Sequence, residues 1–302
     1  MTDIVKNAIL NIGCEYDENI PMSSRTSFKT GGAADLMVYP DSIEELKAIL
    51  KVCKTNNVRT YIIGNGSNIL VSDNGLSGVV IRLSNNFSDI ELIDDETIRV
   101  QAGASMTRLC SFALENSLSG LEFAYGIPGT AGGAAYMNAG AYGGEMKDVL
   151  IECRHLDRDS NEGSYKGEEL KLDYRTSVYA DNDLIITELI LKLKKGDYDE
   201  IKALMNENMS KRKAKQPLEY PSAGSTFKRP EGENLYAGAL IEECGLKGCS
   251  VGDAEVSKKH AGFVINKGSA TSSDIRKLIK HIQDVVFKET GVMLKTEVRF
   301  ID

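Results

Sequence analysis

The chain has 302 residues, 42% hydrophobic and 26% charged, with 28 Gly, 6 Pro and no Trp. That composition belongs to a globular protein of two or three domains and excludes collagen-like, disordered and disulfide-scaffold chains. Thirty-six Lys and Arg against 44 Asp and Glu leave a net charge of −8, a field that repels polyanions, so no nucleic-acid partner is expected.

Six scattered cysteines, Cys14, Cys53, Cys110, Cys153, Cys244 and Cys249, lack zinc or thioredoxin spacing and read as reduced thiols of a cytoplasmic protein. The opening MTDIVKNAILNIGCEYDENI has no basic segment followed by a long apolar run, so no signal peptide is expected.

A strand is expected over Asp35–Pro40, then a helix opened by a Ser42/Glu45 capping box, with Ile43, Leu46, Leu50 and Cys53 on one face. Tyr61–Asp73 reads as strand, Gly-Asn-Gly-Ser-Asn turn and strand, followed by a strand over Val79–Leu83, which makes a βαββ unit. Strands then dominate at Thr97–Ala102, Leu150–Leu156 and Leu184–Leu193, interrupted by a helix at Met106–Glu115, so the fold class is α+β. Polar Lys194–Asp199 marks a boundary, and a charged helix runs from about Tyr198 to Arg212. From about Gln216 a last region leads to a helix from Ser273, in which Ile275, Leu278, Ile279, Ile282, Val285 and Val286 keep helical spacing and Gly291 is placed as the C′ residue. A final strand is expected at Thr296–Ile301.

Phe123–Gly144 carries no charge and contains seven glycines. It is long enough to span a bilayer, but so flexible a backbone would leave amides unsatisfied in hydrocarbon, so no membrane insertion is expected. Such a segment marks backbone packed against other backbone or against a ligand. Gly64-Asn65-Gly66-Ser67-Asn68 lacks the third glycine of a dinucleotide fingerprint, and the chain has no P-loop motif. A plain tight turn explains the five residues, and so does a phosphate cradle of backbone amides. The second charge-free loop, Tyr125–Gly143, favours a bound nucleotide over two coincidental turns, with tight packing in a small barrel as the other reading.

Arg175, within Asp173-Tyr-Arg-Thr-Ser177, is by itself an ordinary surface arginine. Ser225 follows a glycine in the proline-bounded loop Pro221–Pro230, without a G-x-S-x-G elbow. From Lys211 to Arg229 there are six basic residues and one acid, Glu219; a solvated helix face explains part of this patch and an anionic substrate the rest. His155, His260 and His281 have no metal-ligand spacing, so no metal site is expected. Glu297 and Arg299 alternate with Val298 and Phe300, which places the charged pair opposite the core, with a solvent-exposed ion pair as the plain account.

The ordered motifs GNGSN, IPGTAGGAAYMNAGAYG, YRTS, AGSTFKRP and EVRF, spread from about Arg25 to the C-terminus, resemble those of the UDP-N-acetylenolpyruvoylglucosamine reductases. These are flavoenzymes that make UDP-N-acetylmuramate for peptidoglycan. The resemblance implies noncovalent FAD in a binding fold of the vanillyl-alcohol-oxidase type over about Lys29–Gly196, plus a smaller α+β substrate domain. It divides the chain into 1–83 with strand 294–302, 84–198, and a substrate-binding region 199–293.

Carried over residue by residue, the resemblance implies catalytic roles for Arg175, Ser225 as proton donor, and Glu297. It implies FAD contacts at Gly64, Asn65, Gly66, Ser67, Asn68, Pro128, Gly129, Thr130, Gly132, Gly133, Asn138, Gly140 and Ile186, and substrate contacts at Tyr174, Lys215, Lys228, Arg229 and Arg299. The substrates implied are NADPH and UDP-N-acetylglucosamine enolpyruvate. No capping insertion lies between Lys228 and His260, so the chain resembles the loop-less type II form; Arg229 stands where some relatives have asparagine. Oligomeric state is not readable, with a monomer the default. A flavin oxidase of the same fold and a noncatalytic flavin-binding module are the competing readings.

Overall fold

The computed structural model describes residues 3–232 and 235–302. In chain order its elements begin α1 (Asp3–Leu10), β1 (Glu15–Pro21), β2 (Ala33–Tyr39), α2 (Ile43–Thr55), β3 (Thr60–Ile63), β4 (Ile69–Val71), β5 (Leu76–Arg82), β6 (Ile90–Asp94), β7 (Thr97–Gln101) and α3 (Met106–Glu115). There follow β8 (Leu118–Ser119), α4 (Ala131–Tyr136), β9 (Gly140–Ala141), β10 (Gly144–Glu145), β11 (Leu150–Leu156), β12 (Glu162–Lys166), β13 (Ile185–Lys192), β14 (Lys194–Lys195) and α5 (Tyr198–Lys215). The last are α6 (Ala237–Glu243), β15 (Ser250–Val251), β16 (Ala254–Val256), β17 (Val264–Asn266), α7 (Ser272–Thr290) and β18 (Arg299–Ile301).

The chain forms two compact units, one of Met1–Glu18, Asp35–Asn65 and Ser77–Arg212, the other of Asn19–Ala34, Gly66–Leu76 and Lys213–Asp302. These bounds differ from the division expected at 83 and 198. The physical reason is core membership: Phe28 and Leu70 are fully buried in one apolar cluster with Phe227, Ile275, Ile282 and Val298, so two short early segments pack with the C-terminal region.

In the first unit a four-stranded sheet runs β1-β2-β5-β3, with β3 and β5 parallel, and a five-stranded antiparallel sheet runs β12-β11-β13-β7-β6. Ser42 caps α2 as the sequence anticipates. Ser42 Oγ accepts from Glu45 N–H at 3.4 Å, while the Glu45 carboxylate reaches back to Asp41 N–H at 3.1 Å, one residue earlier than a capping box would. On α2 the buried residues are Leu46, Ile49, Leu50 and Cys53, and on α3 they are Met106, Leu109, Cys110 and Ala113. Such spacing keeps one apolar stripe against the core.

In the second unit α7 has a complete capping box between Thr271 and Asp274, and Gly291 ends it at φ 73°, a left-handed conformation that glycine adopts without strain. Asp73, just beyond β4, holds the start of this helix by accepting from Ser272 N–H at 2.7 Å, Ser273 N–H at 2.8 Å and Ser273 Oγ at 2.7 Å. A three-stranded sheet runs β15-β16-β17, and β18 pairs parallel with β4, Arg299 opposite Ile69.

The last strand is shorter than the six residues expected, and one of its apolar positions is not core. Val298 is buried, but Phe300 is 42% exposed and lies under the Arg276 guanidinium at 4.6 Å. The alternation of Val298 and Phe300 therefore does not define a single buried face.

Candidate active site

In the first unit the two glycine-rich loops meet. Asn65 Nδ2 donates to the Pro128 carbonyl at 3.1 Å, and Arg82 Nε to the Gly64 carbonyl at 3.3 Å. A Cβ on Gly64 would overlap Thr130 Oγ1, so this approach requires glycine. Thr130 caps α4, its hydroxyl accepting from Gly133 N–H at 3.3 Å, while Ala131 and Gly132 N–H donate to the carbonyls of Ala104 and Ala102, each at 2.8 Å.

Those bonds engage part of the expected cradle within the protein. The amides of Gly132 and Gly133 already have protein acceptors, and a Cβ on Gly132 would come within 2.7 Å of that of Ala102; Gly132 is required for backbone packing rather than to present its N–H. Asn138 is fully buried and its side chain is engaged within the protein: Nδ2 donates to the Asp173 carbonyl at 3.0 Å and Oδ1 accepts from Lys147 N–H at 2.9 Å. Ile186 is buried in the core on β13. A Cβ on Gly140 would press on Glu145 Cβ and the Gly144 carbonyl, both at 2.8 Å, which ties this glycine to the β9–β10 hairpin.

Asn138 also fixes the turn that carries Arg175. Asp173 and Thr176 exchange backbone hydrogen bonds of 3.1 and 3.3 Å around it, and Arg175 sits at φ 52°, a left-handed conformation costly for a branched-chain or long residue unless its surroundings hold it there. Its guanidinium donates to the Gly140 carbonyl at 3.0 Å and lies 5.2 Å from the exposed Tyr174 ring. Arg212, counted in the sequence only as one of six cations, has its guanidinium largely withdrawn from water. Burial pushes its pKa down against the opposing pull of Tyr142. No spacing in the sequence distinguishes it from its exposed neighbours Lys211 and Lys213.

The second unit brings Ser225, Glu297 and the end of the GNGSN turn together. Gly66, at φ 64°, rests its Cα where any Cβ would strike the Arg25 carbonyl, and its own carbonyl accepts from Ser27 N–H at 3.1 Å. Asn68 Nδ2 donates to the Glu297 carbonyl at 3.2 Å, and the Asn68 carbonyl accepts from Arg299 N–H at 3.1 Å. On the other side of the same segment, Glu297 N–H donates to the Thr226 carbonyl at 2.9 Å, with Phe227 and Thr296 forming an antiparallel bridge and Lys228 N–H bonded to the Lys295 carbonyl at 2.9 Å.

Thr226, fully buried, anchors this arrangement by donating to the Gly262 carbonyl at 2.8 Å and accepting from Val264 N–H at 3.0 Å through its hydroxyl. Ser225 and Glu297 are each half-buried. Arg229 is exposed, its guanidinium 4.7 Å from the Tyr236 ring; Lys215 and Arg299 are exposed and Lys228 half-buried.

Among the described residues no cluster of three His, Cys, Asp or Glu could hold a metal. All six cysteines are free. Burial pushes the Cys53 thiol up to about 11 and the Cys110 thiol to about 12, which leaves them protonated and inert at neutral pH.

A family model described as the C-terminal domain of UDP-N-acetylenolpyruvoylglucosamine reductase matches residues 216–301, and one described as an FAD binding domain matches 34–161. The UDP-N-acetylenolpyruvoylglucosamine reductase of Syntrophomonas wolfei is 49% identical over 283 residues, covering 94% of each chain. The chain belongs to this family. The protein of the same description from Clostridium tetani is 47% identical over 300 residues, covering 99% of this chain and 96% of its own. The crystal structure of the enzyme from Thermus caldophilus superposes with a TM-score of 0.81 at 36% identity, covering 96% of this chain and 99% of that one.

The chain is thus a flavin-dependent oxidoreductase of α+β fold whose cofactor is FAD. Its residues suit that group. Neither glycine turn carries an acid that would repel a pyrophosphate. In the segment bonded to Gly66, the Thr30 hydroxyl is buried with no protein partner, the kind of orphan that a bound ligand satisfies. Among the described residues no helix is long and apolar enough to cross a membrane.

Proposed function

We propose that Arg175, Ser225 and Glu297 carry the substrate chemistry of this chain. The reaction is the FAD-dependent reduction of the enolpyruvyl ether of UDP-N-acetylglucosamine to UDP-N-acetylmuramate, a step in peptidoglycan precursor synthesis. Bound FAD would supply hydride-transfer chemistry between NADPH and the terminal carbon of the enolpyruvyl group. Gly64–Asn68 and Pro128–Thr130 would hold its pyrophosphate. The work is cytoplasmic and its partners are small molecules.

Hydride addition leaves negative charge shared between the ether-bearing carbon and the adjacent carboxylate. Arg175 offers a planar fork of donors that matches that carboxylate, and its bond to the Gly140 carbonyl fixes the direction of the fork. Ser225 passes its hydroxyl proton to the ether-bearing carbon, a transfer that the basicity of the carbon drives once the hydroxyl is held close. Glu297 orients this array, with Lys228, Arg229, Tyr174, Lys215 and Arg299 binding the rest of the anionic substrate.

The observation that supports this reading most directly is the bond from Glu297 N–H to the Thr226 carbonyl, which sets the candidate acid beside the residue following the candidate proton donor although Ser225 and Glu297 are 72 residues apart. An anaerobic titration tests it: purified protein should be yellow, NADPH should bleach it, and the enolpyruvyl substrate should restore the colour. Protein that bleaches but does not recover with this substrate would contradict the proposal.

A further inference from the structure

The Glu297 segment lies between two other segments of the chain. On one side it makes an antiparallel bridge with the Ser225–Lys228 loop, and on the other it enters the parallel pairing of β18 with β4, which emerges from the glycine turn. In a parallel ladder the rungs recur at every second residue. Arg299 N–H bonds the Asn68 carbonyl, so the rung before it falls on the Glu297 carbonyl. That carbonyl accepts from the Asn68 side chain, at 3.2 Å. A carboxamide thus bonds at a ladder position at the point where β4 gives way to the turn.

We infer that Asn68 is a positioning residue for Glu297, holding the backbone of the acid in register with the turn that cradles the cofactor. The inference rests on the role proposed above for Glu297. The hydrogen bonds that hold the segment at this point include Glu297 N–H to the Thr226 carbonyl, Asn68 Nδ2 to the Glu297 carbonyl, and Arg299 N–H to the Asn68 carbonyl. The middle one depends on a side chain, so it can be removed by substitution. A change in the turn is transmitted through Asn68 to the acid without passing through substrate.

Asn68→Asp keeps the shape and removes the donor, setting a carboxylate oxygen against the Glu297 carbonyl; Asn68→Ala serves if that variant does not fold. FAD-loaded protein is followed anaerobically by flavin absorbance, with rates taken per flavin, so that lost cofactor does not count as lost rate. The expected result is that reoxidation by the enolpyruvyl substrate slows about 10- to 100-fold more than reduction by NADPH does, the scale of a small misplacement of a reacting group. Combined with Glu297→Gln, the substitution should add little further slowing, because both act through one group.

Fully multiplicative slowing in the double variant, or equal slowing of both half-reactions, would overturn the inference while leaving Glu297 in its role. Normal reoxidation in Glu297→Gln alone would instead remove Glu297 from the chemistry, and the inference with it.

Discussion

The Asn138 side-chain amide donates to the Asp173 carbonyl at 3.0 Å, joining residues 35 apart in the chain. Through this bond a buried asparagine of the glycine segment fixes the turn on which Arg175 is displayed. Asn138→Asp retains the acceptor for Lys147 N–H but turns the donor into a repelling oxygen, at a cost of about 1–3 kcal/mol for the lost buried bond. The expected outcome is a lower thermal midpoint and substrate-driven reoxidation slowed about tenfold or more. Stopped-flow absorbance and a melting curve on the same preparation check it; unchanged reoxidation would detach Asn138 from Arg175.

Arg175→Lys keeps the charge and loses the fork. An ammonium on a flexible stem cannot reproduce both the contact to the Gly140 carbonyl and a two-pronged carboxylate contact. Flavin content and NADPH bleaching should survive, with turnover reduced about 100-fold. Near-normal turnover would take Arg175 out of the site.

Ser225→Ala removes the proposed proton donor and should leave the loop intact, because the loop is held by Thr226, Phe227 and Lys228 rather than by the serine hydroxyl. Reoxidation should slow by roughly 10²–10⁴-fold, the worth of a positioned general acid, while bleaching by NADPH is unaffected. No slowing of reoxidation would exclude Ser225 as the donor.

The glycines of the two loops differ in what a Cβ would meet, and that difference is measurable. Gly64→Ala collides with the Thr130 side chain, which can yield only by giving up its cap on α4, whereas Gly66→Ala collides with the Arg25 carbonyl and also forces alanine to φ 64°. Flavin absorbance per mole of protein should fall in both variants and fall further in Gly66→Ala. Full flavin content in Gly66→Ala would contradict the assignment of this turn to the cofactor.

Two histidines set an acid limit on stability. Burial lowers the pKa of His155, whose Nδ1 lies 2.9 Å from Tyr179 Oη, and that of His260, whose Nδ1 accepts from Gly262 N–H at 3.1 Å. Each folded-state pKa lies below the ordinary value of about 6.5, so below that pH the unfolded chain binds the protons more readily. Stability is therefore full above about pH 6.5 and falls as the pH drops through the window beneath it. Asp73 loses its contribution only at still lower pH, since the bonds from Ser273 and Ser272 outweigh its burial and hold its carboxyl below the usual range. Melting midpoints between pH 7.5 and 5 should decline, and the slope should be shallower in His260→Gln.

Local rules carried much of the fold: α2 and α7 declare themselves by the residues at their ends and by apolar positions three and four apart, and α3 lies at the bounds expected for it. What they could not carry was partnership at a distance. Nothing near Asn138 reveals that its acceptor is Asp173, and nothing in EVRF reveals that Phe300 lies under Arg276 rather than in the core. Short strands such as β18 owe their existence to the neighbour they pair with, which their own sequence does not record. The five motifs singled out the candidate residues, but Thr226 and Asn68 gain their importance from hydrogen bonds that only the folded chain displays.

The way Phe28 and Leu70 share a core with the last ninety residues has a consequence for biosynthesis. Translation delivers both residues early, yet their packing partners, from Ala223 to Val298, leave the ribosome last. Until then Phe28 and Leu70 are apolar surface in a nascent chain, bound by no completed core, and contacts of such long sequence separation close slowly. A ribosome halted ahead of α7 therefore releases a chain whose first unit can be assembled while these early residues are left uncovered and prone to aggregation. Val298, the neighbour of Glu297, is the last residue in sequence of the core that shelters them.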